Sequence, residues 1–132
     1  MSLLTHRFKF KVTRIIDADT ICGKIDLPFG IEVERTVRVQ GIDCPEIRRC
    51  SEVEKQLGLE ALGYVSQWLR FADDNVYITI EPKFMDRTDS FGRIIANVEY
   101  SGLDLGNSLR RQGLAVDFGS GFNWGSHAND LL

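Results

Sequence analysis

The chain has 132 residues and a mass of 15.0 kDa, with 43% apolar and 27% charged residues. That is the size and balance of one globular domain with its own core, which excludes a mainly disordered chain. No apolar run nears the ~18 residues of a membrane span, and the start MSLLTHRFKF lacks the apolar stretch of a secretory signal. The expectation is a single domain over 1–132, with a core from about 8 to 118 and a short tail from 119. As it stands the chain reads as cytoplasmic, or as secreted if a signal has been removed, with a monomer as the default and no membrane partner.

The net charge is −3, which excludes a generic basic nucleic-acid coat. The breakdown is more informative, because 11 of the 16 basic residues are arginine. Arginine presents a planar fork of donors that suits phosphate, whereas lysine is a point charge. Three cysteines, Cys22, Cys44 and Cys50, cannot all pair, and they form no CxxC or Cys/His cluster. The odd count fits free thiols in a reducing compartment, not a disulfide frame or a zinc site.

Phe8 to Thr13 alternates apolar and polar and reads as a half-buried strand. Thr20 to Ile25 forms a second strand, and Asp26-Leu27-Pro28-Phe29-Gly30 is turn chemistry. Ile31 to Val39 alternates again, with Ile31, Val33, Val37 and Val39 on one face and Arg35 interrupting it. After Pro45 the period changes. Ser51 with Glu54 makes a capping box, and Val53, Leu57, Ala61, Leu62, Val65 and Leu69 give a helical stripe to about Phe71. Asp73-Asp74-Asn75 ends it, a strand follows over Val76 to Glu81, and Arg93 to Tyr100 is another. Leu103 to Gln112 reads as a helix closed by Gly113, and one further turn is expected near His127 to Leu132. Three strands, a helix, two strands and a helix imply an α+β, mainly β, fold. The arrangement is a five-stranded OB-fold barrel with one helix between strands three and four and a second after strand five.

Three stretches concentrate chemistry. Asp17-Ala18-Asp19-Thr20 puts two carboxylates at a strand end, where a hard cation or a simple Asx turn would use them. Arg38 to Glu46 combines an arginine, Asp43 and Glu46 on a strand and a Pro-stiffened loop. Asp86-Arg87-Thr88-Asp89-Ser90-Phe91-Gly92-Arg93 is a polar turn that ends on an arginine at the start of a strand. His6 and His127 lie outside all three stretches and read as surface residues.

Taken together and in order, IIDADT, RVQGIDCPE, DRTDSFGR and LDLGNSLRRQGLA resemble the staphylococcal nuclease family, from about Val12 to Ala115. The family pattern runs DGDT, R…DxPE, RTDxYGR and a helix ending RQGLA. The resemblance implies an OB barrel and a calcium-dependent nuclease of DNA and/or RNA that leaves a 3′-phosphate and a 5′-hydroxyl. It assigns Asp19, Asp43 and the main-chain carbonyl of Cys44 to Ca²⁺, Arg38 and Arg93 to the scissile phosphate, and Glu46 to the general base. Arg48, Arg49, Arg87 and Phe91 are the candidate nucleic-acid contacts. The alternative is a catalytically inactive OB-type module that binds nucleic acid or protein. The sequence departs from the family pattern at Ala18, where glycine is usual, and at Ser90-Phe91, where Lys-Tyr is frequent. If position 18 required a positive φ, alanine would be strained there.

Overall fold

A computed structural model describes residues 6–126. Its elements run β1 (His6–Asp17), β2 (Thr20–Asp26), β3 (Glu32–Val39), β4 (Ile42–Asp43), α1 (Glu52–Ala72), β5 (Tyr77–Ile80), β6 (Ile94–Tyr100), β7 (Leu103–Asp104), α2 (Leu105–Arg111) and β8 (Val116–Asp117). Short 3-10 turns at Pro28–Gly30 and Pro82–Phe84 follow β2 and β5. The turn expected near His127 to Leu132 lies outside the described residues.

β1 is twice the length that the alternation implied, because it changes partners midway. His6–Lys9 pair with β5, whereas Phe10–Asp17 pair with β2 through irregularities between Val12 and Arg14 and between Ile15 and Asp17. Bulges of this kind bend a strand and break its period-2 pattern, so the sequence shows only the first regular stretch. The bend lets the sheet curl. β2 pairs β3 antiparallel, β5 pairs β6 antiparallel, and β6 then meets β3 in parallel at Val37–Val39, closing a mixed barrel of β1, β2, β3, β6 and β5. The three two-residue strands are trimming at its rim.

Inside the barrel, Phe10, Ile21, Val37, Val39, Ile78, Ala96 and Val98 are all buried, as the alternation of β2, β3, β5 and β6 requires. Gly23 is part of that fit. A Cβ there would stand 2.5 Å from the Lys11 carbonyl oxygen and 2.8 Å from the Phe10 ring, so only glycine lets β2 lie this close against β1.

Helix α1 begins where its cap predicts, with Ser51 Oγ accepting the Glu54 N–H at 3.1 Å. The reciprocal half of the capping box is absent: Glu54 Oε2 instead accepts the N–H of Glu46 at 3.3 Å. The buried face also differs from the expected stripe. Gly58, Ala61, Val65, Trp68 and Ala72 are buried, while Val53, Leu57, Leu62 and Leu69 flank them half-exposed. Small residues at 58, 61 and 72 let the helix settle close to the barrel, and Trp68 fills the wider end by packing edge-on against Tyr100 at 4.7 Å. Asp73 ends the helix at φ 54. Helix α2 starts at Leu105, later than the sequence implied, because Asp104 is its N-cap and accepts the Asn107 N–H at 2.9 Å. Gly113 follows at φ +71, the left-handed position expected of it.

Candidate catalytic cleft

A cleft of about 810 Å³ opens on one flank of the barrel. Asp17, Asp19, Arg38, Asp43, Glu46, Phe91 and Arg93 all line it, together with Lys83, Phe84, Asp89 and Phe118. Residues from three separated stretches of sequence thus share one site.

Asp19 sits in the tight link between β1 and β2 and is 9% exposed. Its Oδ1 accepts the Thr20 hydroxyl at 3.0 Å, and its Oδ2 accepts the Cys44 N–H at 2.9 Å. Its own carbonyl accepts the Val39 N–H at 2.9 Å, so the turn is tied to both β3 and the loop after β4. Ala18 is buried and its φ is not positive, so alanine carries no backbone strain there.

Arg38 points off the outer face of β3 beside this carboxylate. Its Nη2 meets Asp43 Oδ1 at 2.6 Å, its Nη1 lies 3.6 Å from Asp19 Oδ2, and Nη1 also donates to the Val39 carbonyl at 3.1 Å. With the side chain only 12% exposed, the guanidinium is a fixed positive centre between two acids. Phe118 covers it, with its ring centroid 5.5 Å from the guanidinium carbon. That ring is held by β8, which pairs with β4, and by the Phe118 N–H donating to the Gly41 carbonyl at 3.0 Å. Arg110 on α2 braces the same corner, donating to Asp117 Oδ1 at 3.0 Å and to the Gly41 carbonyl at 2.9 Å.

Arg93 is positioned quite differently. Asp89 Oδ1 accepts the N–H groups of Phe91 and Arg93, each at 2.9 Å, and Asp89 Oδ2 accepts Arg93 Nε at 2.7 Å. Burial works against the Asp89 anion, but the two backbone donors and the Arg93 side chain outweigh it and hold its pKa below the ordinary value. The Nε of Arg93 is thus occupied by Asp89, and the residue lines the cleft. Phe91 is 81% exposed, with the Arg93 guanidinium 5.1 Å from its ring centroid. Asp89 was not singled out from the sequence, although a Thr-Asp-x-x-Gly-Arg turn carries the Asx-turn signal that could have found it.

Glu46 lies on the loop between β4 and α1. Partial burial raises its pKa, and Glu54, Asp17 and Asp19 raise it further against the opposing Arg48. Its backbone rests directly on α1. A Cβ at Gly58 would come within 2.5 Å of the Glu46 carbonyl oxygen and 2.7 Å of Ile47 Cγ2. Gly58 therefore sets the height of the Glu46 loop, a role invisible without the helix–loop contact.

The other candidates fall at or beyond the rim. Arg48 Nη2 is 3.7 Å from Asp17 Oδ2, Arg49 is exposed at φ 57, and neither lines the cleft. Arg87 also lies outside it, donating to the Lys83 carbonyl at 2.8 Å with its guanidinium 5.8 Å from the Phe84 ring centroid. Trp124 is buried, and Phe122 meets it edge-on at 4.9 Å. All three cysteines are free thiols. Cys44 is buried, and that burial, reinforced by Asp19, pushes its thiol pKa far up, which leaves the side chain neutral and unsuited as a ligand.

The donors that face the cleft are hard oxygens, as Ca²⁺ requires. Asp17 Oδ1 is buried with no hydrogen-bond partner among the described residues, and burial followed by the Asp19 charge raises its pKa. An orphaned carboxylate oxygen beside a second carboxylate is an excess of negative charge that a cation would relieve. Among the described residues no three His, Cys, Asp or Glu side chains are grouped closely enough to hold an ion unaided. A hard cation here would therefore draw on main-chain, water or substrate oxygens as well.

A closed mixed barrel with two helices defines an OB-type domain, and a cleft of carboxylates and arginines opens on its flank. The family described as staphylococcal nuclease homologue matches residues 36–129, well over half of the chain, and the protein belongs to that family. The matched stretch takes in Arg38, Asp43, Glu46 and Arg93 and begins after Asp19. No curated protein matches the sequence. Among the described residues no helix is long and apolar enough to cross a membrane.

Proposed function

We propose that the protein is a calcium-dependent nuclease that hydrolyses phosphodiester bonds of DNA and/or RNA by in-line attack of water, leaving 3′-phosphate and 5′-hydroxyl ends. The observation that carries this reading is the convergence of Asp19, Arg38, Asp43, Glu46 and Arg93 on one cleft. A domain that only binds nucleic acid has no use for two carboxylates, Asp19 and Asp43, set against the arginine that would hold a phosphate.

Asp19, Asp43 and the Cys44 carbonyl would hold Ca²⁺. When bound, the ion neutralises charge on the phosphoryl oxygens and polarises a water molecule. Asp43 balances Arg38 through its 2.6 Å contact to Nη2; were Asp43 to hold Ca²⁺, that edge of the guanidinium would be free to meet a phosphate oxygen. Arg93 meets the same phosphate with its Nη groups while Asp89 keeps its Nε edge. Two guanidinia fixed before the reaction stabilise the extra negative charge of the pentacoordinate transition state without reorganising. Glu46 takes the proton of the attacking water, and its raised pKa brings it closer to the operating pH of a general base. The 5′-oxygen leaves.

The test is incubation of the purified protein with single-stranded DNA, duplex DNA and RNA, with Ca²⁺ or a chelator, beside a Glu46→Gln variant. Ca²⁺-dependent cleavage that falls on the order of 10²-fold in the variant supports the reading. Tight binding of nucleic acid with no cleavage in any buffer would replace it with the inactive binding module.

A further inference from the structure

A second groove, of about 590 Å³, lies on the barrel beside the catalytic cleft and is lined by Arg14, Arg35, Cys22, Thr36, Glu34 and Gly92. Its position follows from the pairing. β6 meets β3 only at Val37–Val39, so the Glu32–Thr36 stretch of β3 has a free edge on that side. Arg14, Cys22 and Thr36 are register partners across β1, β2 and β3, which makes them one row on the outer face. Thr36 is two residues from Arg38 on the same face of the same strand, roughly 7 Å along it. Gly92 sits between Phe91 and Arg93, both of which line the catalytic cleft. The groove is thus the next station along the surface from the cleft.

Its charges are available. Arg14 and Arg35 are exposed, and neither forms an ion pair among the described residues. Arg14 makes one weak contact, Nη2 to Cys22 Sγ at 3.7 Å. Most other arginines near the site are engaged: Arg38 with Asp43, Arg93 with Asp89, Arg48 with Asp17. Arg14 also borders a third groove, between β1 and α1, where Lys9, Lys11 and Arg70 add positive charge against Asp73 and Asp74. On a chain of net charge −3 this is a local basic track that starts at the cleft.

We infer that the Arg14–Arg35 groove binds the sugar-phosphate backbone of a single nucleic-acid strand as it leaves the catalytic cleft, and so makes the enzyme favour polymers over minimal substrates. The inference rests on the nuclease reading for its substrate, but not on catalytic turnover for its test. Two arginines that line one polar groove can each meet a backbone phosphate, and no aromatic side chain lines it to stack a base, so the contact is expected to be largely independent of sequence.

The test uses the Arg14→Gln/Arg35→Gln double variant, with Arg111→Gln on α2 as a control for loss of a positive charge outside the groove. Substrates are a single-stranded 20-mer and a minimal nitrophenyl ester of a nucleoside phosphate. The double variant should raise KM for the 20-mer about tenfold with kcat unchanged, leave the minimal ester unaffected, and lower the slope of log Kd against log salt for the 20-mer by about 1.4, as loss of two phosphate contacts requires. Unchanged KM and salt slope overturn the inference, as does an equal loss on both substrates or the same loss in Arg111→Gln. If the wild type cleaves nothing, the nuclease reading fails, and the salt slope of binding still decides the groove. A wild type that neither cleaves nor binds the 20-mer overturns both.

Discussion

The two cleft arginines are held in opposite ways. Arg38 is fixed by partners from three elements: Asp19 in the β1–β2 link, Asp43 on β4 and, over its guanidinium, Phe118 after β8. Arg93 is fixed by one residue four positions earlier, Asp89, which also ties the loop backbone through two N–H groups. One wall of the cleft is a product of barrel closure, and the other is a self-contained turn carried to the cleft by β6. Damage to the first should spread into the fold, and damage to the second should stay local.

The largest expected effect separates these walls. Arg38→Ala and Arg93→Ala should each cost on the order of 10²-fold or more in nuclease rate, because each removes a preorganised donor. Arg38→Ala should also lower the Tm clearly, since it leaves Asp19 and Asp43 facing each other, and added Ca²⁺ should restore part of that loss. Arg93→Ala should barely move the Tm, because Asp89 keeps its backbone donors. Equal Tm losses measured by thermal unfolding would break the contrast.

Gly58→Ala probes how tertiary packing sets the first wall. Alanine gains up to ~1 kcal/mol of helix propensity, but its methyl group meets the Glu46 carbonyl oxygen at 2.5 Å. The expected outcome is a net destabilisation of about 1–3 kcal/mol in urea unfolding, with a lower kcat from a displaced Glu46. A stabilised variant with unchanged kcat would show that the loop gives way freely.

Asp89→Asn probes the second wall. The Asp89 pKa is depressed in the folded protein, so its contribution is present above the unfolded value near 3.8 and is lost as pH falls through the lower folded value. The variant should be about 1–2 kcal/mol less stable than wild type at pH 7, and the gap should close as the pH falls through the depressed Asp89 value. Activity should fall roughly tenfold as Arg93 loses its anchor. A gap that persists in acid would mean that shape, not charge, holds the turn.

The smallest effect is expected at Ala18. Because its φ is not positive, Ala18→Gly should cost about 0.5–1 kcal/mol, mainly by loosening the unfolded chain and removing a buried methyl group. A gain in stability would show that the tight link between β1 and β2 favours glycine after all.

Much of the fold was legible because it rests on local period and cap chemistry. The alternation of β2, β3, β5 and β6, the Ser51 cap and the Gly113 stop are written in neighbouring residues, and they place these elements to within a residue or two. The buried face of α1 was less legible. Periodicity follows the large apolar side chains, whereas the closest contact with the barrel is made by Gly58, Ala61 and Ala72. The full length of β1 was hidden by its two irregularities, and Glu54 turned from its own helix cap to the Glu46 backbone, a partner that exists only once the loop has folded back.

The sequence by itself determined the mainly β barrel, the order of its elements and the residue types that make a cleft of this family, because period, caps and motif spacing are local properties. Which of those residues meet was decided by the tertiary structure alone. The parallel contact of β3 with β6 brings Arg38 and Arg93 into one cleft and leaves the free edge of β3 beside Arg14 and Arg35, while the pairing of β2 with β3 brings Asp19 to the Cys44 N–H. Those contacts join stretches tens of residues apart, and only closing the barrel offsets the chain entropy of holding them together.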